Sequence, residues 1–407
     1  MVLRYSTLRK DIGIDNINGE AQNFAFLTHY LHNKSYKISD TYRLTAEQFY
    51  NSIEGSPIPE IQWDVPFPSP KNPDFTFIDL FAGIGGFRIP FQEIGGKCVF
   101  SSEFNSHAQR AYELNFGEVP FGDITKLDLN LVPEHDVLCA GFPCQPFSIS
   151  GKLKGFEDTR GTLIYHIFKI IEKRKPSVIL LENVKHLVYH DKRRTLSTIV
   201  KHLEELGYKV SKKVLNASDF GVPQNRERII IIGHKKKEFD FSKIEKQPRP
   251  VLKDFLDVEN DFEYLNEPYT ILKDMKLQDS GLIFAGYRNK SIRVAGVRPN
   301  TKHLSRVHKQ PNRIYSTEGV HPALPSQESA GRFWIWDNNK VRKLTIQECY
   351  RIMGFPDKFK FIEQKGELYK QIGNSVAVPM IKEVGKQIKE QLISTKKSND
   401  TRQFITV

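Results

Sequence analysis

The sequence predicts an α/β protein: a doubly wound, mostly parallel sheet of Rossmann-like topology joined to a second, smaller irregular domain. Three observations carry that expectation. From Phe75 to Gly233 short apolar runs alternate with helix-length amphipathic stretches. A glycine turn follows the first of those runs. After the basic run Lys235–Lys237 the alternation dissolves into turn-rich sequence up to about residue 340. Such alternation marks parallel strands covered by crossover helices.

Taken in order, residues 1–62 carry scattered aromatics and a possible helix at 44–53, and the Pro-rich run from Pro57 to Pro73 reads as a linker. Residues 1–73 are therefore expected to be an amino-terminal extension of unknown role. Buried strands are predicted at Phe75–Leu80, Lys97–Ser101, Asp136–Ala140, Val178–Leu181 and Ile229–Ile232. Thr162–Lys173, with Leu163, Ile167 and Ile170 on one face, and Leu196–Leu206 have helical spacing and serve as crossovers. These elements define a domain at 74–233, followed by the irregular domain at 234–340. Carboxyl-terminal helices are expected within 341–395, at Thr345–Met353 and Ala377–Leu392. The apolar stripe Ala377, Ile381, Val384, Ile388 and Leu392 should turn the last helix back onto the first domain.

A chain of 407 residues, 39% hydrophobic, accommodates one large core and a smaller one. The 60 basic residues against 48 acidic ones give a net charge of +12, which favours a polyanionic partner such as nucleic acid. Residues 1–73 hold 7 basic and 8 acidic groups, so the excess lies beyond them. Four cysteines without a C-x-x-C pair argue for a reducing cytoplasm and against structural zinc. The first residues lack the pattern of a signal peptide and no window approaches eighteen apolar residues, so a soluble, cytoplasmic protein is expected, without membrane partners.

Four motifs carry chemistry. In Phe77-Ile78-Asp79-Leu80-Phe81-Ala82-Gly83-Ile84-Gly85-Gly86 a strand runs into a glycine turn, where the backbone can approach a ligand closely. Glu103 lies twenty residues past Gly83, where a carboxylate can take ribose hydroxyls. The Gly-Lys-Ser/Thr ending of a phosphate cradle is absent, and Phe81 and Phe104 can flank an adenine, so a nucleoside without phosphates fits better than a nucleotide. A plain strand-to-helix connection remains the competing reading of such a turn.

The second motif, Ala140-Gly141-Phe142-Pro143-Cys144-Gln145-Pro146-Phe147-Ser148, follows a strand and so occupies the ligand crevice of an open sheet. Most intracellular cysteines are small buried hydrophobes. Prolines on both sides and the polar Gln145 and Ser148 instead make Cys144 a nucleophile candidate, while Cys98, Cys139 and Cys349 keep the structural reading. The third motif, Glu182-Asn183-Val184, puts a carboxylate at the same sheet edge. Thiolate addition to a pyrimidine is uphill unless ring nitrogen 3 is protonated, and a desolvated Glu can supply that proton. In the fourth, Gln224-Asn225-Arg226-Glu227-Arg228, two arginines at alternate positions of an extended chain suit a base carbonyl or a phosphate, against a surface salt-bridge pair as the plain reading.

With Gly373-Asn374-Ser375-Val376, these blocks resemble, in order, the bacterial DNA (cytosine-5)-methyltransferases of restriction-modification systems. The resemblance covers 75–233 and 342–390; the segment between corresponds to the family's variable target-recognition region. It implies that S-adenosylmethionine is held by Phe81, Gly83, Gly85, Gly86, Glu103, Phe104, Asp123 and Asn374, with Phe104 where the family often has Trp. It implies that Cys144 attacks carbon 6 of a flipped-out cytosine, that Glu182 engages nitrogen 3, and that Arg228, with Arg226 nearby, holds the carbonyl or backbone. Ser148 to Lys154 would belong to a loop closing over that site.

Residues 286–313 hold eight Lys or Arg and no acid: Arg288, Lys290, Arg293, Arg298, Lys302, Arg306, Lys309 and Arg313. A charge run is usually a solvated face. Within the recognition region it is expected to neutralise phosphates of double-stranded DNA and, at a few forks, to read guanine edges. The enzyme is expected to act as a monomer functionally paired with a restriction endonuclease.

Three alternatives compete. An amino-directed DNA methyltransferase needs an Asp or Asn before Pro-Pro-aromatic, which is absent. A transfer-RNA methyltransferase of the same fold would carry a Cys-Phe-Thr tripeptide, also absent. A DNA-binding regulator built on residues 1–73 sits poorly with the near-neutral charge of that segment.

Overall fold

The computed structural model describes residues 2–11, 21–34, 40–53, 58, 60–143, 163–289, 310–361 and 364–393. The amino-terminal segment forms β1 (Val2–Arg4), α1 (Tyr5–Asp11), α2 (Ala21–Asn33), α3 (Asp40–Ile53) and β2 (Glu60–Gln62). β1 and β2 pair in parallel. The run read as a linker is pinned down: Trp63 stacks on Tyr5 and on His32, and Phe67 donates its N–H to the Asn115 carbonyl at 3.0 Å. Its prolines coexist with two large aromatic anchors, and burial of those rings outweighs the turn-forming composition.

The chain then builds β3 (Phe75–Leu80), α4 (Arg88–Glu93), β4 (Gly96–Ser102), α5 (Ser106–Phe116), β5 (Val137–Gly141), α6 (Leu163–Arg174), β6 (Val178–Val184), α7 (Arg194–Glu205), β7 (Lys209–Asn216), β8 (Gln224–Asn225) and β9 (Glu227–His234). Six strands form one sheet in the order β4-β3-β5-β6-β9-β7. β9 runs antiparallel to both its neighbours and the other pairings are parallel. The five strands expected from the apolar runs are present. β7 was not among them, because as the outer strand it exposes Lys209, Lys212 and Lys213 and has no apolar run to read. Edge lysines of this kind deter pairing with another chain.

Side chains alternate across the sheet. Ile78, Leu80, Leu138, Ile179 and Ile231 face one core with α2, α3, α6 and α7. Phe77, Cys139, Val178, Leu180 and Ile232 face the other, with α4 and the carboxyl-terminal helix. α5 starts at Asn105, whose side chain caps the Ala108 N–H, and stops at left-handed Gly117.

The segment expected to be irregular contains a five-stranded sheet: β10 (Tyr269–Ile271), β11 (Phe284–Arg288), β12 (Arg313–Ser316), β14 (Trp334–Asp337) and β15 (Lys340–Lys343), while β13 (His321–Pro322) pairs with β8. Each strand of that sheet has only three to five residues, too short for periodicity to register. α8 (Ile346–Arg351), opened by a Thr345–Glu348 capping box, α9 (Lys365–Asn374) and α10 (Val378–Leu392) complete the fold. Ile381, Val384, Ile388 and Leu392 of α10 are buried against the main sheet. Among the described residues no helix is long and apolar enough to cross a membrane.

Candidate active site

The turn after β3 sits at the carboxyl edge of the sheet, and its backbone is wound tightly. Phe81, Gly83 and Gly85 all have positive φ, at 56°, 55° and 87°. The Gly83 N–H donates to Glu103 Oε2 at 2.8 Å, and Asn105 N–H donates to Oε1 at 2.7 Å, so the carboxyl ending β4 is fastened to the turn. Burial raises the Glu103 carboxyl above its usual range, opposed by these N–H groups.

Phe81, Gly83, Gly86, Glu103, Phe104, Asp123 and Asn374 line one cleft of ≈ 690 Å³. Phe104 stands at its mouth, 78% exposed. The Asp123 carboxylate accepts from the Thr125 N–H and hydroxyl, at 2.9 and 2.8 Å, and is held below its usual range by those bonds. Gly85 is not among the lining residues: a Cβ there would lie 2.2 Å from Phe116 Cε2, so its bare backbone serves helix packing. At Gly86 a Cβ would meet Ser375 Oγ at 2.7 Å and Val376 Cγ2 at 2.8 Å, so this glycine admits the segment after α9.

Glu182, Arg226 and Arg228 line the same cleft as the glycine turn. Arg228 Nε stands 2.9 Å from Glu182 Oε1, with both side chains largely buried. Burial raises the Glu182 carboxyl, against the pull of Arg228 and Arg226. The two arginines differ in what they bind. The Arg226 guanidinium donates to the carbonyls of Leu324, Gly373 and Ser375, at 3.2, 2.8 and 2.5 Å, and is 1% exposed. It ties three segments together, both terminal nitrogens donating to protein carbonyls.

Residues 144–162, with Cys144 and the Ser148–Lys154 loop among them, lie outside the described residues. Pro143, just before Cys144, lines the cleft. Asn183, passed over in the sequence reading as a site residue, donates from Nδ2 to the Phe142 carbonyl at 2.8 Å and so anchors the strand end leading to Cys144. Its place between Glu182 and Val184 was the available signal. Gly141 pairs in register with Glu182, and a Cβ there would approach Glu182 Oε2 at 3.6 Å and Phe87 Cε2 at 3.2 Å.

Of the basic run, Lys290, Arg293, Arg298, Lys302, Arg306 and Lys309 lie outside the described residues. Arg288 ends β11 with Nη2 2.6 Å from Glu267 Oε2 and its guanidinium over the Trp334 ring at 5.0 Å. Arg313 begins β12 and is partly buried. A second cleft of ≈ 610 Å³, lined by Arg288, Gln327, Trp334 and Lys370, shares Lys370 with the first.

The cleft therefore joins an acidic, aromatic, glycine-turned half at the carboxyl ends of β3 and β4 to a half holding a buried carboxyl–arginine pair. A chain with this sheet and this bipartite cleft belongs to the nucleoside-cofactor-dependent α/β transferases. Residues 75–390 match the model of the C-5 cytosine-specific DNA methylases, and the chain belongs to that family. It is 40% identical over 329 residues to the Type II methyltransferase M.HhaI of Haemophilus parahaemolyticus, covering 78% of this chain and 94% of that protein. It is 43% identical over 329 residues to M.HpaII of Haemophilus parainfluenzae, covering 78% and 90%. Among solved structures, the S. pombe Dnmt2 methyltransferase superposes with a TM-score of 0.57 at 18% identity, over 78% of this chain and 99% of that one, which speaks for the fold alone.

The protein is thus a DNA (cytosine-5)-methyltransferase, and S-adenosylmethionine is its methyl donor. The cleft suits that cofactor. A Cβ at Gly122 would meet nothing within 4 Å and one at Gly83 only the Phe81 carbonyl at 4.0 Å, so the lining leaves open space where a ligand can lie against backbone. Glu103 and Asp123, with the Phe81 and Phe104 rings, suit a cationic nucleoside without phosphates.

Proposed function

We propose that Cys144, Glu182 and Arg228 form the reacting centre, and that Phe81, Gly83, Gly86, Glu103, Phe104, Asp123 and Asn374 hold the cofactor. The observation that carries this reading is the buried Glu182–Arg228 pair, set in the same cleft as the Glu103-fastened glycine turn and beside Pro143. The base must leave the duplex stack for its ring face to be reached.

Cys144 as thiolate adds to carbon 6 of the extruded cytosine, forming a C–S bond while Glu182 gives its proton to nitrogen 3. Arg228 stands against the Glu182 carboxyl through Nε and donates from Nη1 to the Glu227 carbonyl at 2.9 Å, which leaves Nη2 for the ring carbonyl. Electron density shifted to carbon 5 makes that atom the nucleophile. Bound S-adenosylmethionine supplies the electrophilic methyl group. Loss of the carbon 5 proton to solvent, expulsion of the Cys144 thiolate and return of the nitrogen 3 proton to Glu182 then restore the neutral aromatic ring.

Arg226 holds the scaffold of the cleft and does not touch the base. DNA runs along the second cleft, beside Lys370 and the small sheet, and the basic residues between 290 and 309 neutralise its phosphates. Arg288, engaged by Glu267 and Trp334, orders β11 in this reading. The enzyme acts as a monomer on double-stranded DNA and protects a recognition site from a partner endonuclease, a reading supported by the Type II names of its relatives.

The test is transfer of tritiated methyl from S-adenosylmethionine to mixed genomic DNA by the wild type and by Cys144→Ala, followed by digestion to nucleosides. Label in 5-methylcytosine that vanishes with Cys144→Ala is the expected result. Label in an amino-methylated base, or in RNA only, would overturn the assignment.

A further inference from the structure

The segment before residue 75 lies outside the family match, yet α2 is built into the sheet. Among the described residues β4 is the terminal strand of that sheet, and its outer backbone groups have no neighbouring strand there along most of their length. Four consecutive-turn residues of α2, Thr28, His29, His32 and Asn33, are buried and polar. Unpaired polar groups there would be costly, and each of the four residues makes a hydrogen bond to backbone, either on β4 or on the 117–121 segment that follows α5.

Asn33 Nδ2 donates to the Val99 carbonyl at 3.2 Å, and the Ser101 N–H donates to His29 Nε2 at 3.2 Å. The Val119 N–H donates to Thr28 Oγ1 at 3.1 Å, and His32 Nε2 lies 3.1 Å from the Gly117 carbonyl. In return Lys97 Nζ donates to the His32 carbonyl at 2.6 Å. His29 Nδ1 sits 2.9 Å from the Ala25 carbonyl, which makes Nδ1 the protonated nitrogen and leaves Nε2 free to accept from Ser101. The helix side chains thus stand in for the missing strand.

What this edge carries gives the contact a consequence. Two residues beyond Ser101 is Glu103, whose N–H donates to the Phe121 carbonyl at 2.8 Å, while the Phe121 N–H donates to the Ser101 carbonyl at 2.9 Å. The Phe121 ring packs against His29 at 4.6 Å, Phe26 at 5.1 Å and Phe100 at 5.2 Å between centroids. Phe121 leads directly into Gly122 and Asp123 of the cofactor cleft. Glu103 and Asp123 therefore lie at the ends of short segments whose other ends α2 holds.

We propose that the amino-terminal helical segment is a built-in positioning element of the cofactor site, with His29 as its central positioning residue: through Ser101 and Phe121 it sets the placement of Glu103 and Asp123. This rests on reading those two carboxylates as cofactor ligands. A surface extension or an independent regulator would have no need of a fully buried polar face complementary to β4.

The test is S-adenosylmethionine binding by calorimetry on the full chain, with thermal melting, DNA binding, and the KM values of both substrates measured in parallel. His29→Leu keeps the packing on Phe121 and loses the acceptor; it is expected to raise the cofactor Kd and cofactor KM about tenfold, the scale of one lost hydrogen bond, with the DNA Kd unchanged. His29→Gln, whose amide oxygen can accept from Ser101, should recover most of that loss. Should His29→Leu fail to fold, Thr28→Val removes the neighbouring acceptor on the same face and is expected to show the same cofactor-specific loss. A lowered melting temperature with unaltered cofactor Kd in these variants would overturn the proposal and leave α2 as an edge cover only. Glu103→Gln is the control: if it leaves the cofactor Kd unaltered, the reading of Glu103 as a ligand fails, independently of what His29 does to binding.

Discussion

Arg228 reaches from β9 to Glu182 on β6, its Nε 2.9 Å from Oε1, across a register in which Arg228 itself pairs with Val184. The pair is diagonal, so the guanidinium meets the carboxyl from the side, and with Nη1 donating to the Glu227 carbonyl at 2.9 Å only Nη2 is left without a protein partner among the described residues. Burial dominates the Glu182 environment and raises its carboxyl in spite of the arginine.

A carboxyl raised in this way keeps a proton available to a ring nitrogen. Glu182→Gln retains a hydrogen bond but has no proton to transfer, and is expected to lower kcat by roughly 10²–10³-fold, with DNA and cofactor affinity nearly unchanged. The wild-type single-turnover rate should fall as pH rises through the raised Glu182 value, because the protonated form is the active one. Persistence of that alkaline limb in Glu182→Gln would assign it to another group.

Arg226 and Arg228 should separate cleanly in stability and activity. Arg226→Met strands three buried carbonyls and is expected to cost about 3 kcal/mol or more, seen as a lowered melting temperature together with weaker cofactor binding. Arg228→Ala removes a group from Glu182, which can neutralise by keeping its proton. It should melt close to the wild type and lose turnover. Equal melting losses in both variants would contradict this division.

The turn glycines differ in the same manner. Gly83→Ala meets little but keeps φ at 55°, so it is expected to cost about 1–2 kcal/mol of backbone strain and to weaken cofactor binding, since the methyl enters the cleft. Gly85→Ala adds a clash with Phe116 to its strain at φ 87° and should destabilise far more. Phe116→Ala removes the clashing ring at its own cavity cost, so in chemical denaturation Gly85→Ala should cost less when added to Phe116→Ala than when added to the wild type, the remainder being the backbone strain.

Acid should unfold the protein from below neutrality. Burial lowers His32 to about 3, His135 to about 4 and His321 to about 4, from an ordinary 6.5. The unfolded chain therefore binds protons that the folded one refuses, and stability rises with pH across that window. The contribution is fully present above 6.5 and is lost as pH falls toward 4, by about 1.4 kcal/mol per pH unit for each histidine. Glu118, which burial would raise but Arg88 pulls down to about 2, adds a loss below its ordinary 4.5. Denaturation midpoints between pH 7 and 4 check the slope, which His135→Gln combined with His321→Gln should flatten.

The central strands were legible because β3, β5, β6 and β9 are buried on both faces and so carry continuous apolar runs around Phe77, Leu138, Leu180 and Ile231. α2 was not: its buried face mixes Phe24 and Leu27 with Thr28, His29 and Asn33, and a polar face reads as solvent until its partners are known. Arg226 and Arg228 looked equivalent, being two residues apart in an extended stretch. The approach of Leu324, Gly373 and Ser375, 98 to 149 residues later in the chain, distinguished them.

By itself the sequence determined the order of the chemistry along the chain: the glycine turn, the Pro143-Cys144 loop, Glu182-Asn183-Val184 and the paired arginines, each a local arrangement of residue types whose reactivity is a property of the side chains. The tertiary structure decided which of these groups are free to act. Whether an arginine faces the cleft or is held by three carbonyls, whether a glycine faces the cleft or Phe116, and whether the first helices stand apart or pack on the edge of a sheet depend on partners far away in sequence. Burial and hydrogen-bond satisfaction are set by the whole packed molecule, and no local pattern records them.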